Sequence, residues 1–289
     1  MIGDDAITAL EMRLIDGDLD AETWPVYADY LNGIGDPRGE LLSIIYSGGD
    51  SSERSSERWK ELELALERDD PTTVHVLEAS WWLWGFMFEG QVRLESAADI
   101  DTLAHALATP ATRLLREVTF TLGADLGAED LSRLAELPLA RLRTLNIAEQ
   151  PHGNALVGAL TGACTRLVEL DARGTALSKQ GVTALAKLAS GGTLRRLHLQ
   201  RNRISGPDVA LLAPKLVGLE LLDLRDNDIG ATGLAALAAT PALGALRTLR
   251  LQIDTFREDD LEPLARSRTL PRAVVRYIRA VLEQRRRER

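Results

Sequence analysis

The apolar positions of this chain recur in a ladder. Residues 194–204 read LRRLHLQRNRI and residues 219–229 read LELLDLRDNDI, both of the form LxxLxLxxNxI. Aligning the remainder on LxxLxL puts unit starts at Leu115, Leu142, Leu167, Leu194, Leu219 and Leu246, at offsets of 27, 25, 27, 25 and 27 residues. The alternation that opens each unit predicts a short strand, because successive strand side chains point to opposite faces. The period then changes to that of a helix at Leu131/Leu134/Leu137, Val182/Leu185/Leu188, Val209/Leu212/Leu216 and Leu234/Leu237. Ser205-Gly206-Pro207-Asp208 has the S-x-x-D form that closes a helix N-terminus. A strand-then-helix unit hides its apolar face only by stacking on the next one, so parallel strands should line the inside and helices the outside. Residues 91–95 (QVRLE) read as an earlier, truncated strand, for seven in all. At ~4.8 Å between strands such a sheet runs roughly 30 Å.

This pattern resembles the leucine-rich repeat. Helix-bearing units of alternating length resemble its ribonuclease-inhibitor-like class, over about residues 90–270. The resemblance implies an α/β solenoid and a structural role for Asn202 and Asn227, whose side-chain amides would bond backbone groups inside each turn. The equivalent positions are Gly123, Gln150, Thr175 and Asp254, and irregular turns are expected there.

The N-terminal 46 residues read differently, as short helices. Ile7, Leu10, Leu14 and Ile15 keep helical spacing up to Gly17; Trp24, Tyr27, Ala28 and Leu31 share one face of a helix over 21–34; Leu41, Leu42 and Ile45 belong to a third. Asp36-Pro37 starts that third helix, since Asp caps free N–H groups and Pro suits the first turn. The stretch VYADYLNGIGDPRGELL at 26–42 resembles the bacterial repeat-companion domain, which precedes repeat arrays; Tyr30 stands where that family usually has Trp. Asp29, Asp36, Arg38 and Glu40 read either as a docking surface or as caps and an ion pair that lock the helices. The chain thus divides into an all-helical module at 1–46, a Ser/Gly-rich linker and Trp-rich cap at 47–90, a repeat horseshoe at 91–270 and a basic C-terminal cap and tail at 271–289. The aromatic run at 81–88 (WWLWGFMF) reads as a cover for the open solenoid end or as an exposed contact.

Composition narrows the function. Aromatics are only 4% of residues, as expected where aliphatic side chains fill a repeated core. A net charge of −9 argues against nonspecific nucleic-acid binding by the whole chain. One cysteine, Cys164, fits a reducing compartment, and the acidic N-terminus is unlike a signal peptide, so a cytoplasmic location is expected. The four histidines His75, His105, His152 and His198 form no metal-binding motif, and no phosphate loop is present, so neither cofactor nor metal is implied.

The side chains that interleave with the ladder leucines define the candidate site. From the third unit onward they are Glu169, Asp171, Arg173, Arg196, His198, Gln200, Asp223, Arg225, Arg250 and Gln252, polar and of mixed sign. Either neighbouring strands neutralise one another, or the face docks a protein through its arginines. His198 stands in a row between Asp171 and Asp223, but no nucleophile is placed beside it, which argues against catalysis. The C-terminal stretch carries Arg276, Arg279, Arg285, Arg286, Arg287 and Arg289, expected to face water from a helix buried through Val274, Val275, Ile278 and Leu282. The expected function is a non-enzymatic scaffold that binds a partner protein on the concave face. The alternatives are a regulator of a nucleotide-dependent protein such as a small GTPase, or nucleic-acid or membrane attachment through Arg285, Arg286, Arg287 and Arg289.

Overall fold

The computed structural model describes residues 4–17, 22–46, 57–68 and 75–288. The linker expected at 47–57 lies outside the described residues up to Ser56, as does Arg289. Two compact units are resolved: Met1–Arg93 with Ala98–Val118, and Leu94–Ala97 with Thr119–Arg289.

In the first unit, α1 (Asp4–Asp16), α2 (Thr23–Gly33) and α3 (Pro37–Tyr46) form where helical spacing predicts them. They bury Leu14, Trp24, Tyr27, Leu31 and Leu42. Gly39 is required where α3 meets α2: a Cβ there would come within 2.5 Å of the Asn32 nitrogen and 2.9 Å of the Ala28 oxygen. A fourth helix, α4 (Glu57–Arg68), buries Leu62 and Leu66 against Leu41, and a fifth, α5 (Ala97–Leu107), buries Ile100, Leu103 and Ala106.

The aromatic run lies at the centre of an antiparallel hairpin, β1 (Leu77–Leu83) and β2 (Phe86–Leu94). Residues 91–95 lie mostly within β2, so the truncated ladder strand is the second arm of that hairpin, and the described residues hold eight strands. The turn is made by Trp84 and Gly85, both at positive φ, as a two-residue hairpin turn requires. For Trp84 that geometry is unfavourable; its ring is held edge-on by Trp24 at 4.9 Å and Tyr46 at 5.5 Å. Phe86, Met87 and Phe88 are fully buried, while Trp81, Trp82 and Trp84 are half-buried.

Arg38 ties helices and hairpin together. Its guanidinium is wholly buried, donates from Nε to the Gly85 carbonyl at 2.6 Å and from Nη1 to Asp36 Oδ1 at 3.0 Å, and lies 5.5 Å from the Phe86 ring centroid. Asp36 Oδ1 also accepts from the Arg38 backbone N–H at 3.0 Å, so one carboxylate caps α3 and fixes the arginine. Glu40 points elsewhere, to an exposed pair with Arg58.

The remaining strands follow one another in chain order: β3 (Glu117–Leu122), β4 (Thr144–Asn146), β5 (Glu169–Asp171), β6 (Arg196–His198), β7 (Leu221–Asp223) and β8 (Thr248–Arg250). From β4 onward the pairing is parallel and in register, so Leu145, Leu170, Leu197, Leu222 and Leu249 form one buried row. Between strands run α6 (Ala128–Ser132), α7 (Gly153–Ala163), α8 (Lys179–Ala189), α9 (Gly206–Leu212) and α10 (Gly230–Ala239). Two are shorter than the apolar spacing predicts. After Ser132 and after Leu212 the chain tightens into 3-10 turns, the second containing Pro214, which has no N–H to continue an α-helix. Asp208 closes the start of α9, accepting from the Ser205 backbone N–H at 2.9 Å.

The turns after the strands share one device. Asn202 Oδ1 accepts from the N–H groups of Thr175 and Leu177 at 3.2 and 2.9 Å, while Nδ2 donates to the carbonyls of Ala172 and Leu199 at 2.8 and 3.0 Å. Asn227 repeats this with the Ile204 N–H and the Leu199 and Leu224 carbonyls. The turns expected to be irregular are partly closed by other side chains: Gln150 accepts from Leu122 N–H at 2.7 Å and donates to Ala148 O at 2.9 Å, and Thr175 donates to Ala172 O at 2.9 Å.

The C-terminal end is α11 (Glu258–Ala265) and α12 (Arg272–Arg287), which buries Val274, Val275, Ile278 and Leu282 as the spacing predicts. Its arginines do not all stand free in water. Arg285 donates to the carbonyls of Phe256 and Ile253, Arg279 to that of Ala265, and Arg286 pairs with Glu262.

Two stability outcomes follow from these contacts. Arg38→Met should cost roughly 3 kcal/mol, because it strands the Asp36 carboxylate and the Gly85 carbonyl, while Arg58→Ala on the surface should leave the urea midpoint in place. Asn202→Ala should cost roughly 2–3 kcal/mol by stranding buried backbone groups. Chemical denaturation checks both, and an Asn202→Ala protein as stable as the parent would refute the turn's role.

Candidate functional site

The strand register of the second unit arranges the candidate residues in columns. Glu169, Arg196, Leu221 and Thr248 form one; Asn146, Asp171, His198, Asp223 and Arg250 form the next. Each side chain projects from the face opposite the leucine row, because the buried leucine alternates with it.

The charges are paired, but not as a simple row predicts. Glu169 reaches across to β6, accepting from Arg196 Nε at 2.6 Å and lying 3.2 Å from His198 Nε2. His198 therefore pairs with Glu169 and not with the aspartates on either side of it. Arg173 turns back on Asp171, with 3.5 Å between Nε and Oδ2. Arg201, on the turn after β6, bonds Glu149 at 2.7 Å, a rim pair the strand alternation does not reveal.

Asp223 is the most deeply buried of the candidate residues. Its carboxylate is 0% exposed and is gripped by Arg225, through Nε at 2.9 Å and Nη2 at 2.6 Å, with Arg250 Nη1 at 3.6 Å. Burial pushes its pKa up, but the hydrogen bonds and charge of Arg225, with the charge of Arg250, outweigh that and hold it below the usual carboxylate range. Asp223 thus holds two exposed arginines from below. Gln200 is also buried, whereas Arg173, Arg196, Arg225, Arg250 and Gln252 are exposed and Glu169, Asp171 and His198 half-buried. Arg247 and Tyr277 were not among the candidates; the first precedes its strand by one residue and the second sits on α12, so strand alternation points to neither.

Cys164 is buried, which drives its thiol pKa up to about 12 and leaves it protonated. Among the described residues no group of His, Cys, Asp and Glu could hold a metal ion, and no helix is long and apolar enough to cross a membrane.

A family model described as Leucine Rich repeat matches residues 193–213 and 219–238, the units with Asn turns. Over those residues the chain is similar to leucine-rich repeats, and its mixed α/β architecture with a parallel sheet fits a leucine-rich-repeat solenoid. A 105-residue stretch is also 35% identical to Toll-like receptor 9 of Canis lupus familiaris, covering 35% of this chain and 10% of that receptor. The match thus spans about a tenth of the relative's length. Leucine-rich repeats are in general interaction modules without catalytic activity of their own.

Asp223→Asn should lower stability by about 1–3 kcal/mol at pH 7, since it weakens charge-assisted bonds at a buried site. The folded-state pKa lies below the unfolded value of about 3.9, so the carboxylate's contribution is complete above that value. It disappears as the pH falls through the folded-state value. Thermal melts of both proteins at neutral pH and near pH 3 check this; a gap that does not narrow in acid would overturn it.

Proposed function

We propose that the chain is a non-enzymatic interaction scaffold that binds a partner protein on the concave strand face of its leucine-rich repeats. The helices of residues 1–46 serve as a repeat-companion module of the bacterial type, in a reducing cytoplasm. One observation carries the reading. From β5 to β8 the exposed arginines Arg173, Arg196, Arg225 and Arg250 are each oriented by an acid, two of them by the buried Asp223. A side chain already held in place loses less entropy on binding, and arginines so placed give both affinity and orientation. Pairing alone would need no buried carboxylate beneath an exposed guanidinium. Among the described residues the partner recorded for His198 is the Glu169 carboxylate, and a catalytic reading would need a nucleophile within hydrogen-bond reach of that imidazole.

Site-specific photocrosslinking from the strand face tests this. A photoreactive residue at Gln252, exposed on that face, should capture the partner in cells, whereas one at Lys187, exposed on α8, should not. Capture from Lys187 with none from Gln252 would move the binding surface to the helices.

A further inference from the structure

The C-terminal end of the strand face opens into a groove of about 460 Å³ between β8 and α12, lined by Arg225, Arg247, Thr248, Arg250 and Tyr277 among others. Three guanidiniums border it, two of them loosely held. Among the described residues Arg250 approaches only Asp223, at 3.6 Å, and Arg247 only Glu220, at 3.7 Å; both are ion pairs longer than a hydrogen bond. Arg225 spends Nε and Nη2 on Asp223, which leaves Nη1 to a ligand. The ring of Tyr277 is more than half exposed beside them.

The charge of the whole chain conceals what this groove prefers. The second unit carries 25 Lys and Arg against 20 Asp and Glu, a net of +5 within a chain of net −9. The excess at the groove is local too: three guanidiniums face two carboxylates, one of them buried. Planar guanidiniums with open N–H groups match carboxylates in bidentate geometry.

We infer that this groove binds an acidic peptide segment of the partner protein, with Arg247 and Arg250 receiving Asp or Glu carboxylates and Tyr277 packing on the intervening chain. The inference rests on the proposed docking role of the strand face and names the partner's chemistry. A nucleic-acid backbone fits less well. It needs a run of available cations, and on the adjacent α12 the guanidiniums of Arg279, Arg285 and Arg286 are engaged by carbonyls and carboxylates of this chain. A groove of this size takes a few side chains, not a tract of phosphates.

Fluorescence anisotropy with the full chain tests it, using a labelled Glu-rich peptide, its Gln counterpart, a phosphoserine version of the Gln peptide and a single-stranded oligonucleotide. The Glu peptide should bind at least ~10-fold more tightly than the Gln peptide. Arg247→Glu/Arg250→Glu should remove that difference, Tyr277→Ala should weaken the Glu peptide several-fold, and Lys187→Glu on α8 should leave it unchanged. Arg247→Gln, at a mostly exposed position, gives the same readout should the double variant fail to fold. Equal affinity for the Glu and Gln peptides, or indifference to Arg247→Gln and Tyr277→Ala, would overturn the inference. Preference for the phosphopeptide or the oligonucleotide would overturn it as well. Crosslinking from Gln252 without Glu-peptide binding would leave the docking face standing and remove this partner chemistry. Peptide binding without crosslinking would do the reverse.

Discussion

The repeat unit depends on closing a tight turn after a strand only three residues long. So short a strand ends before its carbonyls and N–H groups are used up, and the chain must reverse into a helix with those groups buried. The residue ahead of each clamp pays in conformation: Glu149, Arg201 and Asp226 all take positive φ near 60°, and Gly174 takes the same region where a glycine is present. Positive φ costs a non-glycine residue about 1–2 kcal/mol. The amide that follows offsets this by serving two turns at once, since Asn202 bonds its own turn at Leu199 and the previous one at Ala172 and Leu177. The parallel register and the buried leucine row follow from that linkage. A turn that is held from the next unit cannot shift without moving its neighbour.

The same rigidity gives the strand face its character. Side chains on strands fixed in register cannot drift, so a carboxylate at Asp223 can be buried beneath two arginines and remain ionised. Taking a carboxylate out of water costs several kcal/mol, and only the fixed approach of Arg225 and Arg250 offsets it. The result is a surface whose exposed cations are positioned from below.

Much of the fold was legible in the sequence, because apolar spacing reports which positions must be buried. The unit starts from Leu115 to Leu246 fall just ahead of β3 to β8, and the helical stripes read within residues 1–46 reappear as α1 to α3. What escaped has a common physical origin: it depends on contacts between segments far apart in sequence. Gln150 replaces Asn in its turn because the longer amide still reaches Leu122, which no LxxLxLxxN template anticipates. Arg38 meets the Gly85 carbonyl 47 residues away, so the motif alone could not distinguish a docking arginine from a buried one. The alternation placed Asp223 on the correct face and yet gave no hint that its neighbours cover it. The C-terminal arginines reflect the same gap, for a helical wheel assigns them to water while the last repeat offers them carbonyls.

Charge shows why location outweighs total. A chain of net −9 repels an acidic partner at long range, which would seem to forbid the binding inferred for the groove. At physiological ionic strength, however, fields decay over about 8 Å, so an approaching segment senses the charges of the groove and not the sum over the molecule. The residual repulsion then slows encounter without weakening the contacts made afterwards. Specificity benefits from that division: a generally acidic protein has no reason to dwell on this surface, whereas one that can lay carboxylates against Arg247 and Arg250 gains bonds whose partners are already in place.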